Sequence, residues 1–260
     1  SANLTSKLVS IGKSAFSGCS SSKLSSVKFP SSLTSIGVEA FYGCAGLTSV
    51  VVPGTVKTIG DYAFENCTGL KSAVIKDGVG SLGSYIFNKC TALEELTLPY
   101  AGSSLTAVNN ATSSMYVRNN LFSGSVTDKT YSDGNGWHIP NSLKKITITG
   151  GTRIPSYAFY GFSKVTEIVL PEGITSIGNY AFYNCSSMAN ANLTNKLVSI
   201  GTGAYSGCSS SKLASVKFPS SLTTIGTEAF YGCTGLTSVE VPGTVKTIGD
   251  YAFENCTGLK

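Results

Sequence analysis

The stretch from Leu47 to Gly69, LTSVVVPGTVKTIGDYAFENCTG, decides the architecture of this chain. Its apolar positions are Leu47, Val50, Val52, Val56, Ile59, Phe64 and Cys67. Val50 and Val52 alternate with solvent-compatible neighbours, as a short strand does. Pro53 has no N–H to give a ladder, so the strand ends there. Ile59-Gly60 then turns the chain, and residues 61–66 read as a short helix or 3-10 segment. A single coil of this kind cannot bury its own apolar edge. It needs a copy of itself on either side.

The copies are present. Ala-Phe recurs at Phe16, Phe41, Phe64, Phe159, Phe182, Phe230 and Phe253, with Ile86-Phe87 and Ala204-Tyr205 as variants. Successive anchors lie 25, 23, 23, 72, 23, 23, 25 and 23 residues apart. The 72-residue gap hides one more coil, anchored on Phe122 and carrying extra loop on both sides. Stacked in order, about ten coils of 23–25 residues form a right-handed solenoid. A parallel sheet lines one face, and short helical segments and loops line the other. The whole chain, 1–260, reads as one repeat domain with an irregular coil at about 100–140. A longer period overlies the coil repeat: residues 1–71 match 190–260 with ten differences, among them Phe16 to Tyr205 and Val51 to Glu240. The chain stops just inside a new repeat, so it reads as a segment of a longer array.

Leu-x-x-Val-x-Val-Pro-x-x-Val-x-x-Ile-Gly-x-x-Ala-Phe-x-x-Cys resembles the BspA-like, or Treponema-type, leucine-rich repeat. The likeness covers nearly all the chain outside about 100–140. Members are secreted or surface proteins of bacteria, with relatives in protozoan parasites, and several are adhesins. The resemblance therefore implies a secreted or cell-surface interaction module, with a protein or glycan of a host or neighbouring cell as partner. A passive stalk that lifts another domain is the alternative.

The cysteines look at first like a disulfide framework. Position argues otherwise. Cys19, Cys44, Cys67, Cys90, Cys185, Cys208, Cys233 and Cys256 each follow the anchor aromatic by three residues, and in one coil Phe162 takes that slot. A slot that accepts Phe is a core slot, so the thiols are expected as a buried ladder of small hydrophobes. No C-x-x-C pair and a single histidine give no reason to expect a metal, and no cofactor motif appears.

Charge points the same way. Charged residues make up 13% of the chain and net charge is +5, with lysines scattered, so nucleic acid is not an expected partner. No apolar run approaches the roughly 18 residues of a membrane span. His138 sits in a Gly-rich loop without a triad, and Glu94 and Glu95 are adjacent on a strand and point to opposite sides, so no enzyme is expected. Two surfaces compete for a partner. The outward strand positions, Lys28, Val51, Val74, Thr97, Thr147, Val169, Asn192, Lys217 and Glu240, read as a plain solvated sheet. The irregular coil concentrates interface residue types: Tyr100, Tyr116, Arg118, Tyr131, Trp137 and His138 are its candidate contacts, the structural alternative being that its aromatics fold back and cover the flank of the coils.

Overall fold

The structure, a computed structural model, describes residues 2–20, 24–102, 104, 117–122 and 139–260. The chain forms two compact units: residues 1–105 with 117–146, and residues 106–116 with 147–260. Each is a solenoid of parallel coils.

In the first unit, Ala2–Asn3, Ser26–Lys28, Ser49–Val52, Ser72–Ile75 and Glu95–Leu98 lie side by side in chain order. Val50 pairs with Ala73 and Val52 with Ile75, so one inward row is shared by successive coils. Burial alternates along Ser49–Val52, as the Val-x-Val pattern requires. Pro53 opens the turn that follows, its carbonyl accepting the Val56 N–H at 3.1 Å.

The structure adds a second sheet where the sequence suggested only a turn. Ser10–Ile11, Ser35–Ile36, Thr58–Ile59 and Ser81–Leu82 form a parallel ladder of two-residue strands. Each coil places an Ile or Leu inward and a Ser or Thr outward. Two residues are too few to show a period in sequence. They pair because coils already held at strand spacing bring their backbone groups together.

The third side is not helical. Residues 61–66 form tandem turns, with Tyr62 at φ 58° and Asn66 at φ 59°. The same two positions recur left-handed from coil to coil, as at Glu39 and Gly43, or Tyr180 and Asn184. Here the N–H groups donate forward: Phe41 to Ala63 at 2.8 Å and Phe64 to Ile86 at 3.0 Å. On the sheet faces they donate backward, as Thr48 does to Ser25 at 3.0 Å. A helix would spend these donors within its own coil. Here the next coil takes them. Val117–Leu121 is the one helix among the described residues. The carbonyls of Asn120 and Leu121 accept the N–H groups of Ile86 and Phe87, and Phe122 is fully buried, so Phe122 anchors the irregular coil as the spacing predicts.

The second unit repeats the short-strand ladder through Arg153–Ile154, Ser176–Ile177, Ser199–Ile200, Thr224–Ile225 and Thr247–Ile248. Its front ladder is interrupted. Ser215–Lys217 pairs with Ser238–Glu240, but residues 191–193 form no strand. Asn192, expected on the strand face, has φ 46° and turns its Nδ2 onto the Ile168 carbonyl at 2.6 Å. The Ala191 carbonyl accepts the buried Tyr205 hydroxyl at 2.9 Å. That bond is the partner the Phe16-to-Tyr205 difference demanded.

Behind the sheets the anchors stack. Ring centroids are 5.0 Å apart for Phe16–Phe41, 5.2 Å for Phe41–Phe64 and 5.7 Å for Phe64–Phe87. In the second unit the separations are 5.4 Å for Phe159–Phe182, 4.9 Å for Phe182–Tyr205, 5.0 Å for Tyr205–Phe230 and 5.4 Å for Phe230–Phe253. Phe16 and Phe253 are half-buried, and the anchors between them are fully enclosed.

The cysteine ladder lies beside the rings. Cys44, Cys67, Cys90, Cys185, Cys208, Cys233 and Cys256 are buried. Each donates its S–H to the carbonyl of the anchor aromatic one coil earlier, at 3.1–3.2 Å, from Cys44 on Phe16 to Cys256 on Phe230. The same carbonyl already accepts a backbone N–H within its own coil, as Cys44 N–H to Phe41 at 3.2 Å. The thiol fills the second lone pair, which a leucine could not. Burial pushes the Cys208 thiol up to about 12 and the Cys185 thiol well above its ordinary value, so both stay protonated and unreactive.

Cys19 departs from the expected ladder. It is exposed, whereas the other seven are buried. A thiol reagent should therefore modify one cysteine, Cys19, in the native protein and all eight after denaturation. Peptide mapping of the labelled protein checks this, and rapid native labelling of any interior thiol would refute the ladder.

Candidate ligand-binding surface

The irregular coil yields less than its residue types suggested. Tyr100 is 1% exposed, which corrects its reading as a ligand contact. It stands just past Pro99, which ends the strand Glu95–Leu98, and its ring belongs to the core. Burial raises its hydroxyl pKa. Arg118 lies in the helix Val117–Leu121, and its side chain is outside the described residues, as are Tyr116, Tyr131, Trp137 and His138.

The strand face is more varied than a plain solvated sheet. Lys28 is exposed on its strand, and Val51 stands in the neighbouring strand with 47% of its surface in water. A cavity of about 320 Å³ opens there, lined by Lys28, Phe29, Val51, Pro53 and Lys76 among others. A second, of about 480 Å³, shares Lys28 and Phe29 and continues past Pro30 to Leu4. In the second unit a smaller cavity of about 230 Å³ lies where the ladder breaks, between residues 190–193 and 215–217. There Lys217 and Glu240 form an ion pair at 3.8 Å, both highly exposed. Such a pair is screened and weak.

Tyrosines line the turn side. Tyr62 stacks on Tyr85 at 5.4 Å, Tyr157 on Tyr180 at 5.3 Å and Tyr160 on Tyr183 at 4.8 Å. Tyr62, Tyr85, Tyr157 and Tyr180 occupy a left-handed position where Gly203 stands in another coil. A bulky residue there carries backbone strain of roughly 1–3 kcal/mol. Stacking offsets part of it. Beneath this row Glu65 is buried, accepting the Asn88 amide at 2.7 Å, and burial raises its pKa despite that bond and Lys89. Among the described residues no three His, Cys, Asp or Glu side chains converge as a metal site, and no helix is long and apolar enough to cross a membrane.

Parallel coils of 23–25 residues, each contributing an inward Leu/Val/Ile set and an anchor aromatic, define a leucine-rich-repeat solenoid. The chain belongs to the BspA type leucine rich repeat family: the model of that family, a region of six repeat copies, matches residues 1–127 and 137–260. Among solved structures it is similar to a leucine-rich-repeat protein of Bacteroides ovatus, at 24% identity over 99% of this chain and 70% of that one, with a TM-score of 0.36. A leucine rich cell surface protein of Faecalibacterium prausnitzii is 22% identical over 99% of this chain and 86% of its own, with a TM-score of 0.44. The leucine rich repeat protein of T. pallidum is 22% identical over 91% and 78%, with a TM-score of 0.40. Comparison with curated proteins gives no match.

Proposed function

We propose that this chain is a non-catalytic, adhesin-like binding module, secreted or held at a cell surface, that engages a protein or glycan of a host or neighbouring cell. One observation carries this reading. Seven of the eight cysteines and the anchor aromatics are committed to the core, while the strand face opens into cavities flanked by exposed apolar residues and by lysines that have no ion-pair partner among the described residues. Family membership supports it. A repeating sheet face held rigid by stacked rings loses little freedom on binding, which favours recognition of an extended ligand. The intact 260-residue chain should bind saturably to members of a matrix-protein and glycan array. Signals no higher than those of a heat-denatured sample on every spot would defeat the proposal.

A further inference from the structure

The near-copies inside the chain provide an internal comparison. Lys217 and Glu240 face each other across paired strands of the second unit and form an ion pair at 3.8 Å. In the first unit the equivalent lysine is Lys28, and the residue equivalent to Glu240 is Val51. Val27 pairs with Val50, so Lys28 and Val51 hold the same register as Lys217 and Glu240. One difference between the copies therefore removes the counter-charge. Neither Lys28 nor Lys76 has an ion-pair partner among the described residues. Both flank the cavity of about 320 Å³ that Phe29, Val51 and Pro53 line. The adjoining cavity of about 480 Å³ extends the groove past Pro30. Together they cross the strands Ala2–Asn3 to Ser72–Ile75, about 14 Å at strand spacing.

We infer that this groove binds an acidic, partly apolar segment of a partner protein, with carboxylates against Lys28 and Lys76 and apolar side chains against Phe29, Val51 and Pro53. The inference rests on the binding-module reading and names its site and ligand chemistry. Two ammonium groups without counter-ions attract carboxylates over about 8 Å in physiological salt. Charge alone would suit a sulfated polysaccharide equally. The surface between the lysines favours a peptide: Phe29, Val51 and Pro53 offer apolar contacts to side chains, and the Ser26 and Ser49 hydroxyls beside them can meet polar groups of the same segment.

The test uses the full chain and a fluorescein-labelled peptide carrying Glu-Val-Glu-Val between Gly-Ser spacers, with Gln-Val-Gln-Val as its neutral counterpart. The wild-type chain should bind the acidic peptide, and the neutral one about 10-fold more weakly. V51E should place a carboxylate beside Lys28 and weaken acidic-peptide binding by about 10-fold, as should K28E and K76E. V51E keeps the fold, because Glu240 already occupies the same register in the second unit, and an unchanged melting temperature verifies this. E240V should leave binding at the first-unit groove intact. Equal affinity for both peptides, or a V51E variant that binds like wild type, overturns the inference. If K28E and K76E abolish heparin capture while the acidic peptide does not bind, the ligand is a polysaccharide. The peptide assignment then fails and the binding-module reading stands. No binding to peptide, heparin or the array removes both.

Discussion

Phe182→Ala should destabilise the chain by about 3–5 kcal/mol, measured by urea unfolding followed by circular dichroism. Phe182 is 1% exposed and lies between Phe159 at 5.4 Å and Tyr205 at 4.9 Å. Truncation removes two near-parallel stacks, each contributing about 0.5–1.5 kcal/mol beyond area burial. It also opens a cavity that cannot collapse, because the backbone hydrogen bonds on the turn side hold the coils in place. Phe182 N–H donates to Ala204 at 2.7 Å, and the Phe182 carbonyl accepts the Cys208 thiol. In a solenoid each coil depends on its neighbours, so the loss cuts the coupling along the second unit. Phe253→Ala is the control. That ring is half-buried and has one close-stacked anchor neighbour, so its loss should cost clearly less. Equal effects for the two variants would mean that stacking along the anchor row does not hold the coils together.

Gly60→Ala should cost about 3 kcal/mol or more, the upper end of overpacking effects. The cause is contact with backbone, and side-chain rearrangement cannot relieve it. A Cβ at Gly60 would lie 2.5 Å from the Val38 nitrogen and 2.7 Å from the Gly37 carbonyl carbon. These atoms belong to the preceding coil. The Gly60 N–H donates to the Ile36 carbonyl at 2.8 Å, so making room for the methyl group breaks a ladder bond as well. The same Ile-Gly pair occurs at Ile11-Gly12, where a Cβ would meet nothing within 4 Å. Gly12→Ala should therefore be neutral, or stabilising by less than about 1 kcal/mol through lost unfolded-state freedom. Parallel thermal melts of the two variants distinguish them. A Gly60→Ala protein that melts with wild type would show that the coils do not approach as closely as the geometry places them.

These two residues mark where sequence reading works and where it stops. Phe182 was legible as an anchor because the Ala-Phe period repeats it, and a position repeated at coil spacing must face the neighbouring coil. Gly60 was legible as a turn residue but not as a contact, since the clash depends on the backbone of residues 37–38, one coil earlier. The thiols divide the same way. The Phe162 substitution revealed an apolar slot, but nothing local shows that Phe41 offers a free lone pair to Cys67, or that Cys19 faces water. Tyr100 stood open to both readings, because an aromatic residue beside an insertion looks alike whether it turns out to a ligand or in to a core, and its burial selects the core.

By itself, the sequence determined the coil: its length, its inward set, its strand and its anchor. Each of these follows from hydrophobic periodicity, and periodicity is a property of one coil repeated. The tertiary structure alone decided what passes between coils. The two-residue sheet, the bonds donated by the left-handed Tyr62 and Asn66, and the thiol-to-carbonyl bonds all join groups about 22–28 residues apart. The groove between Lys28 and Lys76 is of the same kind. Its lysines lie 48 positions apart in the chain and come together only because stacking sets successive strands about 4.8 Å apart.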